Sequence, residues 1–139
     1  MYKKILIAAD GSPHSLRAAD HAMKIAAYDP ETLVVIVYAI DSDHVKTEVL
    51  HNWNALDRTD IRKKRVIEVE EKAVMAGVKF ETCILHGEPG PIIVKYANEN
   101  KVDLIVLGSR GLNALQEFVL GSVSHKVAKR ANCPVMIVK

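Results

Sequence analysis

Two short runs of glycine and serine are the residues of this chain with the clearest use in chemistry. They are Gly108-Ser109-Arg110-Gly111 and, nine residues further on, Gly121-Ser122-Val123-Ser124. The first run follows Val102 to Leu107, an apolar stretch that reads as a strand, and the second opens a helix-like segment. Glycines at a strand end allow a sharp turn and let a ligand approach the backbone closely. A helix N-terminus adds unpaired N–H groups and roughly half a positive charge. Joined in this order, the two runs read as a cradle for a phosphate. Loops are also rich in glycine and serine for turn geometry alone, so a plain loop is the competing explanation.

The remaining chemical candidates are sparser. Asp10, in Ala8-Ala9-Asp10-Gly11-Ser12, closes the first apolar run and offers a carboxylate at a strand end; Asp-Gly-Ser is equally good turn chemistry that caps a following helix. Arg110 suits either a phosphate or open solvent. The spacing excludes a Walker-type loop, a dinucleotide fingerprint after the first strand and a kinase glycine loop. A phosphoacceptor receiver domain fails too, because the third strand ends in Leu85-His86-Gly87 rather than in an aspartate. Cys83 and Cys133 form no paired motif, and His86, His125 and the other histidines show no metal-ligand spacing. Trp53 fits a covered apolar face and a partner surface equally well.

These residues need elements to position them. Ile5 to Ala9 is a continuous apolar run of the kind covered on both faces of a sheet. Ser12 and Pro13 then suit the N-cap and first position of a helix whose face is Leu16, Ala19, Met23 and Ala26. Leu33 to Ile40, β-branched and bounded by Pro30 and Asp41, predicts a central strand. Asp41 to Thr59 carries no sustained period. Arg58 to Ala76 predicts a helix with Ile61, Val66, Val69 and Ala73 inward and Gly77 ending it. Val78, Phe80, Thr82 and Ile84 alternate as a strand. A helix with Ile92, Ile93, Tyr96 and Ala97 follows Gly87-Glu88-Pro89, then come the strand Val102 to Leu107, a short helical turn at Leu115, Phe118 and Val119, a helix from Ser122 to Ala131, and a last strand, Val135 to Val138.

Five strands alternating with about four main helices predict an α/β three-layer sandwich on a parallel sheet. A flavodoxin-like or Rossmann-like order 3-2-1-4-5 would set the ends of strands 1 and 4, hence Asp10 and Gly108, across one crevice. It would also leave Val135 to Val138 at an edge open to a second copy.

Bulk composition agrees with residues 1–139 forming a single domain, since 139 residues with 49% apolar and 26% charged side chains suffice for a core. With 19 basic against 17 acidic residues, the formal charge of +2 argues against a nucleic-acid partner. Arg62-Lys63-Lys64-Arg65 lies among Glu68, Glu70 and Glu71, as a solvated helix face does. The apolar runs are too short for a signal peptide or a membrane span, so a cytoplasmic location is expected.

The Gly-x-x-Gly, nine-residue gap and Gly-Ser together resemble the nucleotide-binding signature of the universal stress protein family. The resemblance takes in Lys3-Lys4-Ile5-Leu6-Ile7, Asp10-Gly11-Ser12, Gly87-Glu88-Pro89, Val102 to Gly111 and Cys133-Pro134-Val135-Met136-Ile137-Val138, and it is loose from Asp41 to Arg58. It implies a five-stranded Rossmann-like fold, a homodimer through Val135 to Val138, and ATP binding. By position it assigns Gly108, Arg110 and Gly111 to ribose and phosphates, and Gly121, Ser122, Val123 and Ser124 to phosphate oxygens. Asp10 falls beside ribose or a phosphate-bound divalent cation, Mg or Mn. Ala8, Ala9, Ala39 and Leu107 fall on the adenine side, with Ala8 where some members place proline or valine.

Binding and turnover are separate expectations. The cradle supplies donors for an anion, whereas hydrolysis also needs a group to position or deprotonate water, and none stands out. The leading expectation is an ATP-binding stress-response or signalling module. The alternatives are a slow ATPase or nucleotidyl-transfer enzyme using the same site, and a nucleotide-independent dimeric interaction protein.

Overall fold

The computed structural model describes residues 2–10, 12–40, 54–109 and 121–139, with 54–63 described by their backbone alone. Gly11, Arg110, Gly111, Trp53 and the short turn expected at Leu115, Phe118 and Val119 lie outside these residues. In chain order the elements are β1 (Lys4–Ala8), α1 (Pro13–Ala26), β2 (Leu33–Ile40), α2 (Asn54–Ala76), β3 (Lys79–His86), α3 (Pro89–Glu99), β4 (Leu104–Gly108), α4 (Ser122–Arg130) and β5 (Val135–Val138). The strands form one five-stranded sheet in the order β3-β2-β1-β4-β5, and every pairing is parallel. This is the order expected from the sequence. It makes β1 the middle strand and places β2 between β1 and β3.

The strand side chains sort themselves by parity, because successive residues face opposite sides of a sheet. Ile5, Ile7, Val34, Ile36, Leu104 and Val106 pack on one side against Ala18, Ala19, Ala22, Met23 and Ala26 of α1 and Val69 and Ala73 of α2. Leu6, Val35, Val37, Ile105 and Leu107 pack on the other side against Ile93 and Ala97 of α3 and Val127 of α4. Burying each Val, Ile or Leu contributes about 1.5–3 kcal/mol, so two full apolar layers account for the continuous runs read in β1, β2 and β4. The α1 contact face is built largely of alanine, which lets this helix lie close to β1 and β4.

Local signals set the helix ends. Ser12 is the N-cap of α1, its hydroxyl accepting the Ser15 N–H at 3.1 Å, and Pro13 occupies the first turn. Beyond α2, Gly77 adopts φ +69°. Its N–H donates to the Val74 carbonyl at 3.1 Å, and Val78 N–H donates to Ala73 at 3.2 Å. That pair of bonds is a Schellman closure.

The departures from expectation are local. Helix α2 starts at Asn54 rather than Arg58. Strand β4 starts at Leu104 rather than Val102, because Asp103 is occupied with a latch: its carboxylate accepts the Lys3 and Lys4 N–H groups at 3.0 and 2.9 Å. Strand β3 forms where the alternation of Phe80, Thr82 and Ile84 indicated, but its two faces are unequally covered. Phe80 packs on the α1–α2 side, but Ile84 is 47% exposed, and Cys83 and Leu85 pack on the other face. As an edge strand, β3 is covered only in part.

Candidate nucleotide site

The chain steps outward from β1 through β2 to β3, then crosses to β4 and β5 on the other side of β1. The carboxyl ends of β1 and β4 therefore flank a topological switch point, the place where open α/β sheets hold ligands. Asp10 lies just beyond one of these ends and Gly108-Ser109 at the other, so the fold brings together the two features singled out in the sequence.

At the β1 end the polar groups are tied into the start of α1. One Asp10 carboxylate oxygen, Oδ1, accepts the Ser12 N–H at 2.8 Å. The Asp10 N–H donates to Ser15 Oγ at 3.2 Å, and that hydroxyl donates to the Ala8 carbonyl at 3.2 Å. Asp10 thus makes the turn that its Asp-Gly-Ser context favours, and Oδ2 is its second acceptor. Ala8 is half-buried at the strand end, and Ala39 is half-buried at the end of β2. Since Ala8 pairs with Val37, the same register sets Ala39 level with Asp10.

At the β4 end two helices converge on one dipeptide. Gly108 lies against the first turn of α1 so closely that a Cβ there would stand 2.7 Å from His14 Cβ, 2.8 Å from the His14 carbonyl carbon and 2.9 Å from Ser15 N. Its carbonyl accepts the buried hydroxyl of Ser124. Ser109 donates its N–H to Val138 at 2.7 Å and accepts the Gly121 N–H at 2.8 Å, while its hydroxyl meets His14 Nδ1 at 3.1 Å.

Gly121 is the N-cap of α4, and the first intrahelical bond runs from His125 N–H to its carbonyl at 3.0 Å. The N–H groups of Ser122, Val123 and Ser124 precede that bond and have no intrahelical acceptor. A glycine cap has no side chain with which to supply one. Ser122 is exposed, Val123 half-buried and Ser124 buried. With α1 on one face of the sheet and α4 on the other, both N-termini bring positive dipole ends to this end of the sheet. The α1 end already holds Ser12 Oγ and Asp10 Oδ1, so the α4 end is the one suited to an incoming anion.

Of the other residues read as adenine-facing, Ala9 is 4% and Leu107 2% exposed. They belong to opposite core layers and support the site from beneath. Sequence reasoning did not single out His14 or Ser15, and Ser109 entered only as part of the glycine run. The signal for Ser15 was its spacing from the N-cap Ser12. His14 carried no signal, because its partner is distant in sequence. Away from this site, burial pushes the Cys133 thiol up, and burial, then the Cys83 hydrogen bond, push the Tyr96 phenol well up.

The whole chain, residues 1–139, matches the Universal stress protein family. A universal stress protein of Methanocaldococcus jannaschii is 39% identical across all of this chain and 83% of its own length. The universal stress protein YxiE of Bacillus subtilis is 36% identical, with both chains covered in full. Among solved structures, the hypothetical protein MJ0577 superposes with a TM-score of 0.85 at 34% identity, covering 100% of this chain and 96% of the other. A universal stress protein solved in complex with cAMP gives 0.72 at 30% identity, covering 99% and 96%. With its sheet order, its switch-point cradle and its full-length similarity in accord, the chain belongs to the universal stress protein family.

Proposed function

We propose that this chain is an ATP-binding universal stress protein, a module whose nucleotide state sets its shape or its partners. The observation that carries this reading is the N-terminus of α4, which has a glycine cap and no side-chain cap among the described residues, set beside Gly108 and Ser109 at the switch point. In this reading the N–H groups of Ser122, Val123 and Ser124 receive phosphate oxygens beside Gly121, whose own N–H is held by the Ser109 carbonyl, with Gly108, Arg110 and Gly111 around ribose and phosphates. Ala8 and Ala39 face the base, above Ala9 and Leu107, and Asp10 Oδ2 serves ribose or a phosphate-bound Mg or Mn. Among the described residues no three His, Cys, Asp or Glu side chains gather as a metal cage, so such a cation would be held largely through the phosphates. The relative solved with cAMP supports an adenine nucleotide as the guest.

Mass spectrometry of freshly purified protein and calorimetry with ATP, AMP and cAMP test the reading. One equivalent of bound ATP, lost in Gly121→Val, is expected. No heat of binding at millimolar nucleotide overturns it. For turnover, Asp10 is the carboxylate closest in sequence to the strand end, and Oδ1 is already on Ser12 N–H. We therefore expect bound ATP to persist for hours with Mg or Mn. Rapid release of ADP would favour the ATPase alternative.

The same reading extends to assembly. Strand β5 is an edge of the sheet, and Met136 is 36% exposed on it, so we propose a homodimer paired along Val135 to Val138. Sedimentation should give a dimer that Met136→Asp shifts toward monomer.

A further inference from the structure

Ser109 ties together three parts of the molecule. Its N–H reaches β5 at Val138 and its carbonyl reaches the N-cap of α4 at Gly121. Its hydroxyl reaches His14, in the first turn of α1. The chain leaves β4 at Ser109 and returns to it at Gly121, so the orientation of this one peptide determines where α4 begins. Ser109 is 9% exposed, and His14 is half-buried. The sheet does not depend on the His14 bond, because β4 is already paired with β1 and β5 and α1 is already anchored through its alanines. What the bond does is restrict rotation about the Ser109 side chain and backbone, immediately next to the N–H groups of α4.

We infer that His14 is a positioning residue of the anion site: through Ser109 it fixes the start of α4 and thereby sets the affinity for nucleotide. This rests on the nucleotide-binding reading above. Gly108 belongs to the same device, since only a residue without Cβ lets β4 approach His14 closely enough for the bond. His14 makes further interactions, so substitution of Ser109 isolates this one.

The test measures ATP affinity by calorimetry and Gly121 amide exchange by NMR in the full chain, for His14→Leu, Ser109→Ala, the double variant and His14→Asn. Losing one hydrogen bond should weaken ATP binding about threefold to tenfold in each of the first two. The double variant should be no weaker than either single one, since both remove the same bond. Asparagine, whose amide lies near the position of Nδ1, should restore most of the affinity. The Gly121 amide should exchange faster in His14→Leu and Ser109→Ala while the amides of Leu6 and Val35 keep their rates.

Unchanged affinity, multiplicative losses, or faster exchange throughout the core with no rescue by asparagine would each overturn the role of His14. If the unaltered protein binds no nucleotide, the nucleotide reading falls and this inference with it. If it binds and every variant binds equally, only this inference falls.

Discussion

Gly108 lies within the cradle for one reason visible in its sequence and a second visible only in space. A Cβ there would press on the His14 and Ser15 backbone, which belongs to a helix and cannot swing aside as a flexible side chain would. Gly108→Ala is expected to cost about 1–3 kcal/mol, as overpacking does, and urea unfolding measures it. That cost should appear with or without nucleotide, which separates the packing role of Gly108 from a ligand role. The end of β4 and the start of α4 were legible, because glycine and serine at a strand-to-helix transition are local signals. His14 was not, since it meets Ser109 across 95 positions of chain and no period or motif spans that interval. Asp10 was legible as two alternatives, and the structure shows that the turn uses one carboxylate oxygen.

The elements that declared themselves were those whose physics is local. Leu33 to Ile40 matches β2 in full, as β-branched residues buried on both faces leave no competing period. Ser12-Pro13 located the start of α1, and Gly77 located the end of α2 because the closing residue must take a left-handed conformation. A Cβ at Gly77 would meet nothing within 4 Å, so Gly77→Ala isolates the backbone term. It should lower stability by about 1–2 kcal/mol, with Gly77→Asn less affected, by thermal or urea denaturation. The start of α2 was missed because Asn54-Ala-Leu-Asp57 lacks a cap signal strong enough to stand out from the polar residues before it. Ile84 lies in β3 as its alternation indicated, and its exposure has a separate cause: alternation says which residues share a face, whereas coverage of that face depends on a neighbouring helix whose extent is set by tertiary packing.

Across the whole molecule the two apolar layers share the same sheet, and we propose that residues 1–139 unfold as one cooperative unit, with fluorescence and circular dichroism transitions coinciding. Alkaline pH should weaken that unit. Tyr96 is half-buried, bonded to Cys83 Sγ at 3.5 Å, and near the charge of Glu81, and all of these hold its proton more tightly in the folded state. A phenol whose pKa is raised on folding contributes its stability in full below its unfolded value of about 10 and loses it as pH rises above that. Cys133, raised by burial, acts in the same direction from about pH 9. Stability measured from pH 8 to 11 should therefore decline, and Tyr96→Phe should flatten the upper part of that decline. Constant stability across the range would contradict it.

The strand order also bears on how the chain is made. β1 leaves the ribosome well before the strand that completes its second edge, β4, more than ninety residues later. At synthesis rates of about 5–20 residues per second, that edge waits on the order of 5–20 s for its partner. During this interval β1 and β2 can pair while Ile5, Leu6 and Ile7, fully buried in the finished protein, lack half of their cover. The middle position of β1 thus leaves the nascent chain with apolar surface of the kind chaperones hold, and the switch point can close only once β4 has been made.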